Sequence, residues 1–277
     1  MLVQSLLPRE NWLHRLLKTN SMISSQAFIH PEAKVGKDVT IEPFAYIGAN
    51  VEIGDGTWVG PNSSILEGAR LGEKCQIFPG AVVSAIPQDL KFIGEDTITI
   101  IGDSTTIREN VTVNRGTSAT GKTEVGSDCL LMANAHVAHD CIVGDHCILV
   151  NSVALGGEVT VGDWAILGGL SAVHQFANIG THAMVGGGAI VRKDVPPFII
   201  VNPKNVSFSG INKIGLSRRG YSDEQIKEIH DIYRIIYQNK MNTSQALDHI
   251  RQNFKASTER DLILDFISSS SRGIIRS

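Results

Sequence analysis

The chain has 277 residues, 42% of them hydrophobic and 19% charged, and a formal net charge of -3. A charge so close to zero excludes bulk attraction to nucleic acid or to an acidic membrane surface. No apolar run approaches a membrane span, so stable membrane insertion is not expected.

From Met1 to Ser21 the apolar residues around Trp12 and Leu13 are broken up by Arg9, Glu10, Arg15 and Lys18. No secretory core results, and a cytoplasmic location is expected. Residues 1–21 read as an upstream start, a disordered extension or a functional arm. Ile23 through Pro31 leads straight into the first structural repeat.

That repeat is a hexad. Stepping in sixes from Ile29 reaches Val35, Ile41, Ile47, Ile53, Val59, Ile65, Leu71, Ile77 and Val83. The pattern returns for Ile101, Ile107 and Val113, then runs unbroken from Val125 through Val137, Leu155 and Val173 to Val191. Two residues before each aliphatic the chain is mostly small, and a glycine often follows, as in Val35-Gly36, Ile53-Gly54 and Val161-Gly162. Short strands joined by tight turns, each burying one aliphatic, stack into a parallel β-helix. About 25 such slots at three per coil give roughly eight coils, a prism about 40 Å long. The four cysteines, Cys75, Cys129, Cys141 and Cys147, all fall on the small slot, which accounts for them without disulfide or metal.

The hexads lapse twice. Ser84 to Thr97 is polar and too long for a hexad turn, and loops thrown out from a solenoid often carry function. Arg115 to Lys122 is flexible by composition, either a tolerated insertion or a second working loop. After Val191 the repeat stops at Asp194-Val195-Pro196-Pro197, and a separate domain is expected from residue 196 to the end. Ser222-Asp223-Glu224-Gln225 is a capping box. Ile226, Ile229, Ile232, Tyr233 and Ile236 follow at helical spacing; Leu247, Ile250 and Phe254 suggest a second helix, and Leu262, Leu264, Phe266 and Ile267 a third. Arg192, Lys193, Lys204, Lys213, Arg218 and Arg219 form a basic bias that fits a solvated face, a phosphate-rich substrate or an acidic partner.

Chemistry enters at Asn134-Ala135-His136-Val137-Ala138-His139-Asp140-Cys141. His136 and His139 share one coil, and His174 follows His139 by 35 residues, close to two coils of about 18. Three histidines along one edge, with Gln175 beside one of them, read as a site. A neutral imidazole can take a proton from a hydroxyl at neutral pH, and Asp140 can fix its tautomer. No G-x-S-x-G elbow and no outward cysteine suggests a covalent nucleophile. A zinc set of His136, His139 and Cys141 stays open, although Cys141 has the parity of the core.

Together with the hexads, the segments Gln88-Asp89-Leu90-Lys91, Asn114-Arg115-Gly116-Thr117, Asn134 to Cys141, Ala172-Val173-His174-Gln175-Phe176, Asp194-Val195-Pro196-Pro197 and Arg218-Arg219-Gly220 resemble the acyl-[acyl carrier protein]:UDP-N-acetylglucosamine O-acyltransferases of lipid A synthesis. The resemblance runs in order from Met22 to the C-terminus. It implies a left-handed β-helix over residues 22–195, a small α-helical domain over 196–277 and a homotrimer with sites between prisms. It implies transfer of a 3-hydroxyacyl chain from acyl carrier protein to the sugar 3-hydroxyl of UDP-N-acetylglucosamine. No cofactor of the enzyme's own and no metal is implied, since the donor carries phosphopantetheine. His139 would be the general base, Asp140 its orienting partner and the Gly157 backbone N–H an oxyanion donor. Asp89, His136 and Gln175 would hold the glucosamine, His174, Asn212, Arg218 and Arg219 would lie towards the nucleotide and diphosphate, and Lys91 would also bind substrate. Gly187 matches the acyl-length position. Asn114 and Glu158 stand where some members carry histidine.

Three other readings compete. The N-acyltransferase acting later in lipid A synthesis would need an added uridine-binding domain at its N-terminus. A zinc hydratase on the same prism would leave the helical tail and basic cluster without a use. A non-catalytic hexapeptide scaffold would tolerate loss of His139.

Overall fold

The computed structural model describes residues 22–238 and 241–276; the expected N-terminal extension lies outside them. The hexads close into a three-walled prism in which each wall takes one strand per coil. Each strand pairs in parallel with the strand one coil further on: Ile47 beside Ile65, Ile53 beside Leu71, Val59 beside Ile77. Among the described residues the first sheet runs in nine strands from Phe28–Ile29 to Ile190–Val191, and the second in eight from Lys34–Val35 to Asn178–Ile179. The third runs in ten from Thr40–Ile41 to Ile199–Asn202 and Ser207–Ile211. The chain is a left-handed parallel β-helix followed by helices.

Two-residue strands suffice because the pleat separates their tasks. Tyr46 faces out while Ile47 is fully buried, and Ile65, Ile77, Leu131, Leu149, Leu155 and Leu167 stack the same way into one core. The glycine after the aliphatic has a specific cause at the corner between the second and third sheets. There Asp55, Asp103, Asp145 and Asp163 each reach to the neighbouring coil, their Oδ1 atoms accepting the amides of Lys37, Glu73, Ser127 and Asp145 at 2.7, 2.7, 2.7 and 2.9 Å. A Cβ on Gly36, Gly72, Gly126 or Gly144 would stand where the carboxylate oxygen lies. Each Gly-Asp pair thus satisfies a turn amide that the ladder leaves over.

Both lapses in the hexads leave from one corner. Val82–Ala85 and Thr112–Asn114 lie in the first sheet, Ile98–Ile101 and Lys122–Val125 in the second, and the ladder resumes in register with Thr99 beside Thr123. The two loops therefore hang from adjacent coils and leave the core continuous.

The coil does not end at Pro196-Pro197, where the sequence pattern places the boundary. The prolines sit in a corner, where a missing N–H breaks no ladder bond. Ile199–Asn202 still adds to the third sheet, with Ile200 beside Met184 and Val201 beside Val185. Ser207–Ile211 then folds back antiparallel and covers the open edge. Helices follow: α1 (Lys213–Arg218), α2 (Asp223–Gln238), α3 (Thr243–Asn253) and α4 (Thr258–Ser269). The expected box at α2 is formed, with Ser222 Oγ accepting from Gln225 N–H at 3.2 Å and Gln225 Oε1 from Ser222 N–H at 2.9 Å. Ile226, Ile229, Ile232 and Tyr233 are buried, and Tyr233 donates to the Pro197 carbonyl at 2.6 Å. In α4 the packing face takes Ile263, Leu264 and Ile267, while Leu262 is 41% exposed. Asp194 is fully buried and ties the tail to the prism, accepting from Asn178 N–H at 2.8 Å and Ser270 Oγ at 2.6 Å.

Candidate active site

The corner that emits both loops also carries the histidines. His136 faces outward from the first sheet beside Thr112, whose hydroxyl lies 2.7 Å from its Nδ1. Burial, and then the neighbouring His139, lower the pKa of His136, so it is neutral at pH 7. Val137 points into the core, the chain turns through Ala138 to Asp140, and Ile142–Val143 begins the second wall.

At that turn His139 Nδ1 and Asp140 Oδ2 are 2.7 Å apart, with the aspartate side chain wholly buried and the histidine side chain 17% exposed. Asp140 Oδ1 accepts the Thr117 amide at 2.9 Å, the Thr120 hydroxyl at 2.6 Å and the Thr120 amide at 3.3 Å. Oδ2 also accepts the Thr117 hydroxyl at 2.7 Å. Burial works against the charge, but the bonds from Thr120, His139 and Thr117 outweigh it and hold Asp140 below the ordinary aspartate pKa. An ionised carboxylate only accepts. The neutral ring of His139 must therefore carry its proton on Nδ1, which leaves the lone pair on Nε2.

Nε2 faces Gly157, one coil on. A Cβ built on Gly157 would meet His139 Nε2 and Cε1 at 2.6 Å, so only glycine lets the ring rest there. The Gly157 N–H finds no acceptor among the described residues, whereas Gly156 N–H is bonded to Val173 O and Glu158 N–H to His139 O. A free imidazole nitrogen and a free backbone donor thus flank one point at the prism edge. Such a pair can take a proton and stabilise an oxyanion.

The other expected residues fall into three groups. Asp89 and Lys91 lie in the first loop, at this corner. Asp89 Oδ1 accepts from Lys91 N–H at 3.0 Å, and Leu90 and Ile93 are almost fully exposed. His174 and Gln175 are exposed on the same edge one coil beyond Gly157, with His174 Nδ1 3.1 Å from the Gln175 carbonyl and Arg272 donating to that carbonyl. Asn212, Arg218 and Arg219 belong to α1 and its ends, at the corner between the second and third sheets. There Asn212 caps α1 through Gly215 N–H and donates to His182 O at 3.0 Å. Arg219 lies over Trp164 at 5.1 Å with Nη1 3.1 Å from His182 Nδ1. Burial, and then the Arg219 charge, bring His182 down to about 4; neutral His182 accepts from Arg219 at Nδ1 and leaves its Nε2 proton for Tyr221 Oη at 3.1 Å. Gly187 stands on the remaining corner, between the third and first sheets, beside Gly169. A single prism therefore brings His136, His139, Asp140 and Gly157 together and leaves Asn212, Arg219 and Gly187 on other edges.

Two residues that depart from the family pattern have local tasks. Asn114 is buried and donates Nδ2 to the Ile86 carbonyl at 2.7 Å, holding the first loop against the coil of His136. Glu158 sits at the left-handed turn position, φ 59°, beside Gly157. The sequence reading passed over Thr117 and Thr120. Their position in the second insertion, one coil from Asp140 on the same corner, was the signal available.

The zinc arrangement is not assembled. Cys141 Sγ points inward to the Gly156 carbonyl at 3.1 Å, and burial pushes its thiol up to about 12. The two histidines bond Thr112 and Asp140 instead, and no set of three or more metal-ligating side chains gathers among the described residues. No helix among the described residues is long and apolar enough to cross a membrane.

Hexad prism, edge histidine and free glycine amide together define a hexapeptide-repeat acyltransferase. Residues 122–157 match the bacterial transferase hexapeptide model, residues 23–123 that of the GMPPB C-terminal domain, and residues 194–275 domain 2 of Udp N-acetylglucosamine O-acyltransferase. The acyl-[acyl-carrier-protein]--UDP-N-acetylglucosamine O-acyltransferase of Chlorobaculum parvum is 60% identical over 70% of this chain and 74% of its own length. That of Myxococcus xanthus is 42% identical over 71% and 76%. The crystal structure of the UDP-N-acetylglucosamine acyltransferase from Bacteroides fragilis superposes with a TM-score of 0.91 at 52% identity, covering 92% of this chain and all of that one. The chain belongs to the acyl-[acyl-carrier-protein]--UDP-N-acetylglucosamine O-acyltransferase family.

Proposed function

We propose that this acyltransferase moves a 3-hydroxyacyl group from the phosphopantetheine thioester of acyl carrier protein to the 3-hydroxyl of UDP-N-acetylglucosamine, the first step of lipid A synthesis. The observation that carries this reading is the lone pair of His139 Nε2 set against Gly157, with Nδ1 locked on Asp140. Nε2 takes the proton of the sugar hydroxyl as its oxygen attacks the thioester carbonyl. The Gly157 N–H receives the developing oxyanion. Collapse of the tetrahedral adduct breaks the carbon–sulfur bond, and the imidazolium returns the proton to the departing thiolate. Asp89, His136 and Gln175 hold the glucosamine, His174, Asn212, Arg218 and Arg219 the nucleotide and diphosphate, and Lys91 also binds substrate. No metal takes part, and the thioester brings its own phosphopantetheine. At Gly187 the missing side chain leaves room for a long acyl tail.

The working unit is a homotrimer in the cytoplasm. Two walls carry apolar outward rows, Leu130, Ile148, Ile166 and Met184 on the third sheet and Ala154, Ala172 and Ile190 on the first. The second wall is charged where Lys34, Glu52 and Arg70 line up. Met184 and Ile190 are 39% and 56% exposed in one chain, a surface suited to copies of itself. Packing prisms wall to wall also offers the means to bring Gly187, Asn212 and Arg219, on their separate edges, towards His139.

The test is transfer to radiolabelled UDP-N-acetylglucosamine from a ladder of 3-hydroxyacyl carrier-protein donors, for wild type and His139→Ala. Product that disappears in the variant supports the reading. Equal rates in the two proteins refute the base, and no product with any donor refutes the substrates.

A further inference from the structure

We propose that Thr117 and Thr120, in the loop between Asn114 and Lys122, are positioning residues that set the tautomer of His139 through Asp140; this rests on His139 acting as the base. The loop is six residues longer than a hexad turn, and its length serves a geometric purpose. It leaves the first sheet at Asn114 and rejoins the second at Lys122, beside the coil whose corner is Ala138 to Asp140. Of the five donors that meet the Asp140 carboxylate, four come from this loop: the amide and hydroxyl of Thr117 and the amide and hydroxyl of Thr120. The fifth is His139 Nδ1.

The direction of each hydroxyl proton is dictated. An ionised Asp140 can give nothing back, so both threonines donate. Thr117 Oγ1 is then free to accept the Ala119 amide at 3.1 Å, which closes the loop upon itself. Thr120 Oγ1 lies 2.8 Å from the Lys122 carbonyl and 2.6 Å from Asp140 Oδ1; with one proton to donate, the charged acceptor takes it. The carboxylate is thereby pinned at both oxygens, and the only direction left to His139 is Nδ1–H inward, Nε2 outward. Among the described residues no other titratable group touches the carboxylate. The Cys141 thiol lies behind it in the core, His136 flanks His139, and Lys122 pairs with Glu124 on the strand beyond.

The loop is itself braced by the first one. Thr97 Oγ1 donates to the Gly116 carbonyl at 2.6 Å, Arg115 N–H to Ala85 O at 2.9 Å, and the Arg115 guanidinium lies over Phe92 at 5.4 Å. The insertions form one scaffold behind the histidine, which explains why both occur at this corner.

The experiment measures the tautomer of His139 by 15N NMR, and kcat and KM separately, in the full chain. Thr120→Val is the first variant, because Thr120 is exposed and its loss leaves the prism core untouched. Thr117→Val with Thr120→Val is the second, and Thr117→Ser with Thr120→Ser the rescue. In wild type the neutral ring should carry its proton on Nδ1 and none on Nε2. The double valine variant should show a mixed tautomer and a kcat lowered at least tenfold, with KM for the sugar nucleotide within twofold; Thr120→Val should move the same way by less. The double serine variant should recover both readouts. A wild-type tautomer and kcat in the double valine variant, with His139→Ala inactive, would overturn this inference alone. Full activity of His139→Ala would overturn the base on which it rests.

Discussion

Gly157→Ala separates the site from the fold. A methyl at this position would sit 2.6 Å from two ring atoms of His139, where ordinary contact begins at 3.4 Å, so something must yield by roughly 0.8 Å. The backbone is held by Gly156 N–H to Val173 O at 2.9 Å, Phe176 N–H to Gly157 O at 3.1 Å and Glu158 N–H to His139 O at 3.0 Å. Gly157 is not among the glycines with positive φ, so alanine adopts its conformation without strain. The ring is the part that moves, and it does so by stretching the 2.7 Å bond to Asp140. A hydrogen bond to a charged group is worth about 1.5–3 kcal/mol, and a misplacement near 1 Å costs on the order of 100-fold in rate. We expect kcat to fall about 100-fold while the melting temperature moves by about 4 °C or less, the shift that roughly 1 kcal/mol makes in a chain of this size. Steady-state transfer assays and calorimetry on the same preparation decide it. A kcat within threefold of wild type would show that the ring tolerates the methyl and that its contact with Gly157 does not matter.

Asp140→Asn should lower kcat at least as far, because an amide offers one accepting oxygen where five donors converge; titrating activity against pH should find no condition that restores it. The same carboxylate has its folded pKa below the ordinary 3.8. It therefore contributes stability above that value and loses it as pH falls through the folded pKa, and acid denaturation of the Asn variant should be flatter below about pH 4. His182 has the opposite charge type with the same sign: its folded pKa of about 4 lies below the ordinary 6.5, so the unfolded chain binds the extra proton. Stability is complete above 6.5 and falls towards 4, and His182→Gln should lessen that fall in urea titrations between the two. Leu149→Ala, at a fully buried slot, should cost about 2–5 kcal/mol by chemical denaturation.

The fold was legible because the prism is nearly one-dimensional. Each residue's neighbours lie one coil away, so a period read along the chain is also a map of contacts. The two insertions interrupt that map without shifting it, because their lengths, 12 and 6 residues beyond a hexad, are whole hexads, and the ladder resumes with Thr99 beside Thr123. Pro196-Pro197 misled because a missing amide terminates a strand but is harmless in a corner, and the pattern does not tell which of the two a proline occupies until the next strand is found.

The site was legible only in part, for a related reason. His139 and Asp140 stand out as polar chemistry set into the hexads, whereas Gly157 came with the family resemblance; the fold then accounts for it, since Gly157 follows His139 by 18 residues, one coil. What the period cannot give is the direction of a side chain at the left-handed corner position, where φ near 60° is shared by Asn134, Asp140, Glu158, Trp164 and His182. At that position Asp140 turns inward to the threonine loop, while Trp164 and His182 stack parallel to one another, 6.1 Å apart, along the neighbouring edge. Arg219 shows the consequence. The family resemblance implied a diphosphate contact for it, yet it leans on Trp164 and is hydrogen-bonded to His182. A phosphate reaching it would have to compete with that stack or add to the remaining guanidinium N–H groups. Both arrangements are compatible with the sequence, and the side-chain geometry of the corner decides between them.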